Sequence, residues 1–66
     1  MLSALELERR KKGLTQSQLR DKAGVGLNTI VALEKGNIDG VRVKTLKKIA
    51  KVLDTTVQEL FFNEEE

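Results

Sequence analysis

The stretch LTQSQLRDKAGVGLNTIVALEKG, residues 14–36, decides the fold, because it carries a helix start, two helix stops and a glycine pivot between them. Thr15 followed three positions later by Gln18 is a capping box, in which the threonine oxygen and the glutamine side chain satisfy amide groups that the helix cannot. Leu19 and Ala23 then recur at i and i+4. Gly24 stands where a left-handed residue closes a helix, and Gly26 leaves the backbone free to start another at a steep angle. The turn between them is about three residues long. The second helix buries Ile30 and Leu33, with Glu34 beside them, and ends at Gly36. Its opposite face, at 100° per residue, is Asn28, Ala32 and Lys35.

Two short helices joined in this way, with a polar outer face on the second, form a helix-turn-helix, the unit that sets its second helix in the DNA major groove. The rest of the chain has to supply a core behind it. Sixty-six residues make one domain, 1–66, with a thin core and modest stability, since a chain this short buries only about 60% of its unfolded surface. The absence of cysteine and histidine removes zinc fingers, thiol nucleophiles and imidazole bases, so neither catalysis nor a metal or cofactor is expected. The longest apolar run falls far short of the roughly 18 to 20 residues that span a bilayer, and the N-terminus lacks a signal-peptide pattern. A cytoplasmic protein with no membrane partner and no small-molecule ligand is expected.

The net charge of +2 hides an asymmetry: residues 9–51 hold all twelve cations and only three acids, Asp21, Glu34 and Asp39, a net +9. The remaining seven acids lie toward the ends. A segment this basic suits a polyanion, although Lys47, Lys48 and Lys51 by themselves read better as a solvated helix face.

Working outward, Ser3 and Glu6 form a second possible capping box, which predicts a helix over residues 4–12 that stops at Gly13. Leu2, Leu5 and Arg9 share one face, while Leu7 lies about 200° from Leu5 and points elsewhere. The run Arg9-Arg10-Lys11-Lys12 favours the negative end of the helix dipole. The loop 37–42 holds two turn formers. A helix over residues 43–53 follows, with Leu46, Ile49, Ala50 and Leu53 as a buried stripe. Thr56 and Glu59 make a third box that opens a short helix with Val57, Leu60 and Phe61 turned inward. The acidic tail, 63–66, is expected to fray. Apart from the pair Val41 and Val43 nothing alternates with a period of two, so the expected architecture is all-α, five helices in a compact domain.

Residues 5–60, approximately, resemble the Cro and repressor type of helix-turn-helix domain, the XRE family of lambdoid phage repressors and restriction-modification controller proteins. The matching positions are Arg9, Gly13-Leu14-Thr15-Gln16, Leu19, Gly24-Val25, Ile30, Leu33-Glu34 and Gly36, then Thr45-Leu46, Ile49-Ala50 and Leu53. The resemblance implies a lambda-repressor-like fold that binds double-stranded DNA. It places Gln16, with the amides at the start of its helix, on a phosphate. It places Leu27, Asn28 and Ala32 at base edges and Thr29 against backbone, with Lys35, Asn37, Arg42 and Lys44 as further phosphate contacts. Asn28 has the amide suited to adenine, and Leu27 and Ala32 suit thymine methyl groups. Relatives are more polar at those two positions, and Leu27 lies only about 60° from Ile30, so it faces either the DNA or the core. The loop 37–42 is one residue longer than family spacing. Arg20 replaces the usual alanine where the two motif helices cross, so either its stem runs outward or the helices open.

Arg9 and Glu34, both on inward faces, are expected to form a partly buried ion pair, as at the matching positions of relatives. Leu60, Phe61 and Phe62 are too many large apolar side chains for one short helix to bury, so a homodimer is expected through Phe62, with Val52 or Leu7; the loop before the fourth helix is the second choice. Two functional readings follow. The first is a sequence-specific transcriptional regulator, a repressor, binding a two-fold operator as a homodimer. The second is a protein interaction module on the same fold, binding an antirepressor or a toxin, which the apolar Leu27, Val31 and Ala32 favour.

Overall fold

Capping chemistry fixes where the helices begin. The computed structural model describes residues 2–62 and contains five helices and no strand among them. Helix α1, Ala4–Lys11, starts after Ser3, whose Oγ accepts from the Glu6 N–H at 3.1 Å. Helix α2, Gln16–Ala23, starts after Thr15, and here the box closes both ways: Gln18 N–H donates to Thr15 Oγ1 at 3.1 Å and Thr15 N–H donates to Gln18 Oε1 at 2.9 Å. Helix α3 spans Leu27–Glu34, α4 Val43–Val52 and α5 Val57–Phe61. The other two expected boxes are half-formed, because their acids have better partners. Glu6 Oε2 accepts from Arg10 Nη2 at 2.7 Å, and Glu59 Oε1 accepts from Thr55 Oγ1 at 3.0 Å. The first and fourth helices each end one residue earlier than expected, on Lys11 and Val52. The expectation for the acidic tail, 63–66, lies outside the described residues.

The helix ends share one device. A left-handed residue follows α1, α2 and α3, and in each case it is a glycine: Gly13, Gly24 and Gly36, with φ of 72°, 69° and 89°. After α4 the same job falls to Asp54, at φ 58°. Its N–H donates to Lys51 O at 3.2 Å and Thr55 N–H donates to Ala50 O at 3.0 Å, the paired bonds of a Schellman closure. Gly26 does not act as the pivot expected of it. Its φ of −77° is open to any residue, and a Cβ there would rest 3.6 Å from Thr29 Oγ1, an ordinary contact.

Ten aliphatic side chains form the core: Leu5 from α1, Leu19 and Ala23 from α2, Ile30 and Leu33 from α3, Leu46, Ile49 and Ala50 from α4, Leu53 just after it, and Leu60 from α5. Helix α1 packs on α3 and α5, α2 packs on α3 and α4, and α4 packs on α5. The loop between α3 and α4 is less polar in effect than its composition implies, since Ile38 and Val41 both pack against the core and Val41 N–H donates to Ile38 O at 3.2 Å. That anchors both ends of the turn containing Asp39 and Gly40. Val43, which alternates with Val41 in sequence, is 59% exposed at the start of α4.

Candidate nucleic-acid interface

A pair of charged side chains, Arg9 and Glu34, is drawn into the interior, and it organises the motif. Arg9 is 8% exposed, and its Nε donates to Glu34 Oε2 at 2.6 Å while Nη2 reaches Oε1 at 3.4 Å. Nη1 donates to the Leu14 carbonyl at 2.8 Å, and Glu6 Oε2 stands 3.7 Å from Nη2. The structure therefore brings Arg9 and Glu34 together across α1 and α3, and fastens the entry to α2 to the same guanidinium. Arg can do this because its planar fork presents several donors at fixed angles. No buried side-chain N or O atom among the described residues lacks a partner.

Gln16 joins this network, which departs from the expectation that its side chain points to a phosphate. Its Nε2 donates to Glu34 Oε1 at 2.9 Å. The cause is Glu34 itself: a carboxylate only 7% exposed has several lone-pair sites to fill, and Arg9 does not fill them all. The second N–H of the Gln16 amide is left over, and the Gln16 and Ser17 backbone N–H groups, at the first positions of α2, have no intrahelical acceptor. The helix start thus retains the donors that suit an anion.

Helix α3 turns Ile30 and Leu33 into the core and sets Asn28 fully outward, with Lys35 exposed at its C-terminal end. Leu27, Thr29, Val31 and Ala32 are half-buried on its flanks. For Leu27 the two directions left open by the sequence resolve against the core: it is neither in the core cluster nor among the side chains packed on it. Val31 is in the same position. Sequence reasoning omitted it from the base-facing set, although its angular place, about 60° from Asn28, was the available signal. Asn37, Arg42 and Lys44 are exposed in the loop and the first turn of α4, and the Asn37 N–H donates to Ala32 O at 3.0 Å, which ties the loop to the end of α3. Lys35, Arg42 and Lys44 make no ion pair among the described residues. Arg20 turns outward, its Nε 2.9 Å from Asp21 Oδ1.

The residues assigned to a partner chain are placed differently from one another. Phe62 and Leu7 are 48% and 46% exposed, whereas Val52 is half-buried and packs on its own core. Beside α5 lies a cavity of about 120 Å³ lined by Ser3, Leu5, Leu33, Gly36, Ile38, Leu60 and Phe61. Its one side-chain hydroxyl, Ser3 Oγ, already caps α1, so it offers little to orient a polar ligand. No described helix is long and apolar enough to cross a membrane.

A short turn between two packed helices, the second presenting one amide among uncharged neighbours and free cations beyond its end, defines a helix-turn-helix DNA-binding domain. The helix-turn-helix family model matches residues 5–60. An uncharacterized HTH-type transcriptional regulator of Archaeoglobus fulgidus is 42% identical over 88% of the chain and 83% of its own length. An uncharacterized HTH-type transcriptional regulator of Methanocaldococcus jannaschii is 36% identical over 100% of the chain and 98% of its own. No solved structure matches. The chain belongs to the helix-turn-helix family, in its Cro and repressor branch.

Proposed function

We propose that the chain is a sequence-specific DNA-binding transcriptional regulator, a cytoplasmic repressor that binds a two-fold operator as a homodimer, with α3 in the major groove. The observation that carries this reading is the charge pattern around α3. The helix has a single acid, Glu34, and that acid is withdrawn into the Arg9 network, so nothing on the outer face repels a duplex. Asn28 is exposed on that face, Lys35 is exposed at its C-terminal end, and Arg42 and Lys44 are exposed at the start of α4. In this arrangement Asn28, Leu27 and Ala32 meet base edges, and Thr29, Lys35, Asn37, Arg42, Lys44 and the Gln16 end of α2 hold the phosphates. Phe62 and Leu7 supply the dimer contact, with Val52 contributing little beyond its own fold. The two copies of α3 then stand about 34 Å apart, one turn of DNA.

The apolar Leu27, Val31 and Ala32 favour a second reading, a surface for an antirepressor or a toxin. Binding of the chain to random duplex DNA at low and at moderate salt separates the two. Affinity that falls steeply as salt rises, by roughly one log unit per log unit of salt for each phosphate neutralised, supports the regulator. No binding at low salt refutes it and leaves the protein partner.

A further inference from the structure

Helix α3 carries no lysine or arginine before Lys35, which caps its C-terminal end. A cation reaching guanine O6 and N7 is the commonest base-specific contact in the major groove, and the first two turns of this helix cannot make it. Outside the core they present instead the Asn28 amide, the Thr29 hydroxyl and three aliphatic side chains, Leu27, Val31 and Ala32. Val31 and Ala32 lie within about 60° of Asn28 on its two sides, and Leu27 stands one turn before Val31. Leu27 and Val31 lie outside the core and outside the side chains packed on it, so the part of their half-buried surface that stays exposed is not committed to the core.

Among the base edges in the major groove, the thymine C5-methyl is the apolar one. Aliphatic side chains pressed on guanine or cytosine edges would leave donors and acceptors dehydrated and unpaired. We infer that α3 reads thymine methyl groups through Leu27, Val31 and Ala32, with Asn28 on an adjacent adenine, so that each half-site is rich in A·T pairs and its recognition depends on the methyls. This rests on the DNA-binding reading. The occupant is an anionic duplex rather than a protein, because Lys35 at the end of α3 and Arg42 and Lys44 in the segment that follows are exposed and make no ion pair among the described residues, while the helix's one acid, Glu34, is taken up by Arg9.

The test begins with duplexes selected from a random pool by the full chain, each then compared with the same duplex carrying deoxyuridine for thymidine, which removes the methyl and keeps every hydrogen-bonding group. Affinity should fall about fourfold for each contacted methyl. In Leu27→Ala and Val31→Ala chains, checked for helical content, that discrimination should shrink, because the coupling between side chain and methyl is gone. Lys35→Ala should weaken thymidine and deoxyuridine duplexes by one factor. Equal wild-type affinity for the two forms overturns the inference and leaves the DNA reading standing. Discrimination that persists undiminished in both alanine variants also overturns it, since the methyls would then act through DNA shape. A pool from which nothing is enriched removes the DNA reading and this inference with it.

Discussion

Replacing Arg9 by methionine should be the most damaging single change in this domain, and more damaging than neutralising its partner. The asymmetry comes from what each group keeps. With Glu34→Gln, the guanidinium retains the Leu14 carbonyl at 2.8 Å and Glu6 at 3.7 Å, and the new amide still offers an acceptor. That loss is about 1 to 2 kcal/mol, the scale of one charged hydrogen bond. With Arg9→Met, a carboxylate 7% exposed is left with the Gln16 amide alone. An uncompensated buried charge costs about 3 to 5 kcal/mol. A domain of this size has a total stability of about 3 to 10 kcal/mol, so the methionine variant sits near unfolding, with a Tm lower by roughly 20 to 35 °C. The chain has no tryptophan and no tyrosine, so helical circular dichroism under urea is the suitable probe. The double variant Arg9→Met/Glu34→Leu should recover most of the loss, because apolar replacements leave nothing charged behind. An Arg9→Met cost no larger than that of Glu34→Gln, or a double variant as unstable as the sum of its parts, would refute the reasoning.

Asp54→Gly should raise stability by about 1 kcal/mol in the same urea titration, since it relieves a left-handed non-glycine residue and removes a carboxylate from the negative end of α4. Gly36→Ala should lower stability by about 1 to 2 kcal/mol although nothing lies within 4 Å of the added methyl, because φ is +89°. Asn28→Ala should weaken the selected operator by about 1 to 3 kcal/mol and spare random DNA, whereas Arg42→Ala or Lys44→Ala should weaken all duplexes alike and reduce the salt slope by about one; equal losses on both kinds of DNA for Asn28→Ala would sink its base-reading role. Phe62→Glu should leave the fold within about 0.5 kcal/mol and shift sedimentation at high micromolar concentration toward the monomer; an unchanged profile would remove Phe62 from the interface.

The motif was legible because its signals are local. Thr15 and Gln18 cap over three positions, Gly24 and Gly36 stop helices at their own positions, and Ile30 and Leu33 mark a face by period alone. What the sequence did not reveal is long-range or competitive. Gln16 lies eighteen positions from Glu34, and no pattern in either neighbourhood says that one amide will turn inward to complete a buried carboxylate. The half-formed boxes at Ser3 and Thr56 failed for a related reason, since Arg10 and Thr55 compete for the acids. Ile38 and Val41 look like loop residues because no period links them to a helix, yet a thin core recruits them. Asp54 escaped notice because a left-handed helix end is normally read from glycine. Gly26 shows the reverse error, a glycine credited with a freedom that its φ of −77° does not use.

Within the described residues, ion pairs engage Arg9, Arg10, Lys11 and Arg20, and the other eight cations have none. The imbalance sits in residues 9–51, where twelve cations face three acids, and on a body with a radius of gyration of 10.6 Å it loads the free domain with local repulsion that dissolved ions relieve. Salt should therefore push the two properties of the molecule in opposite directions, firming the fold while loosening its hold on a polyanion. The phosphates of a bound duplex would take over the neutralising role of those ions, so at low ionic strength the nucleic acid acts on this domain much as a chaperone would. The chain is then least stable where it is dilute in both salt and DNA.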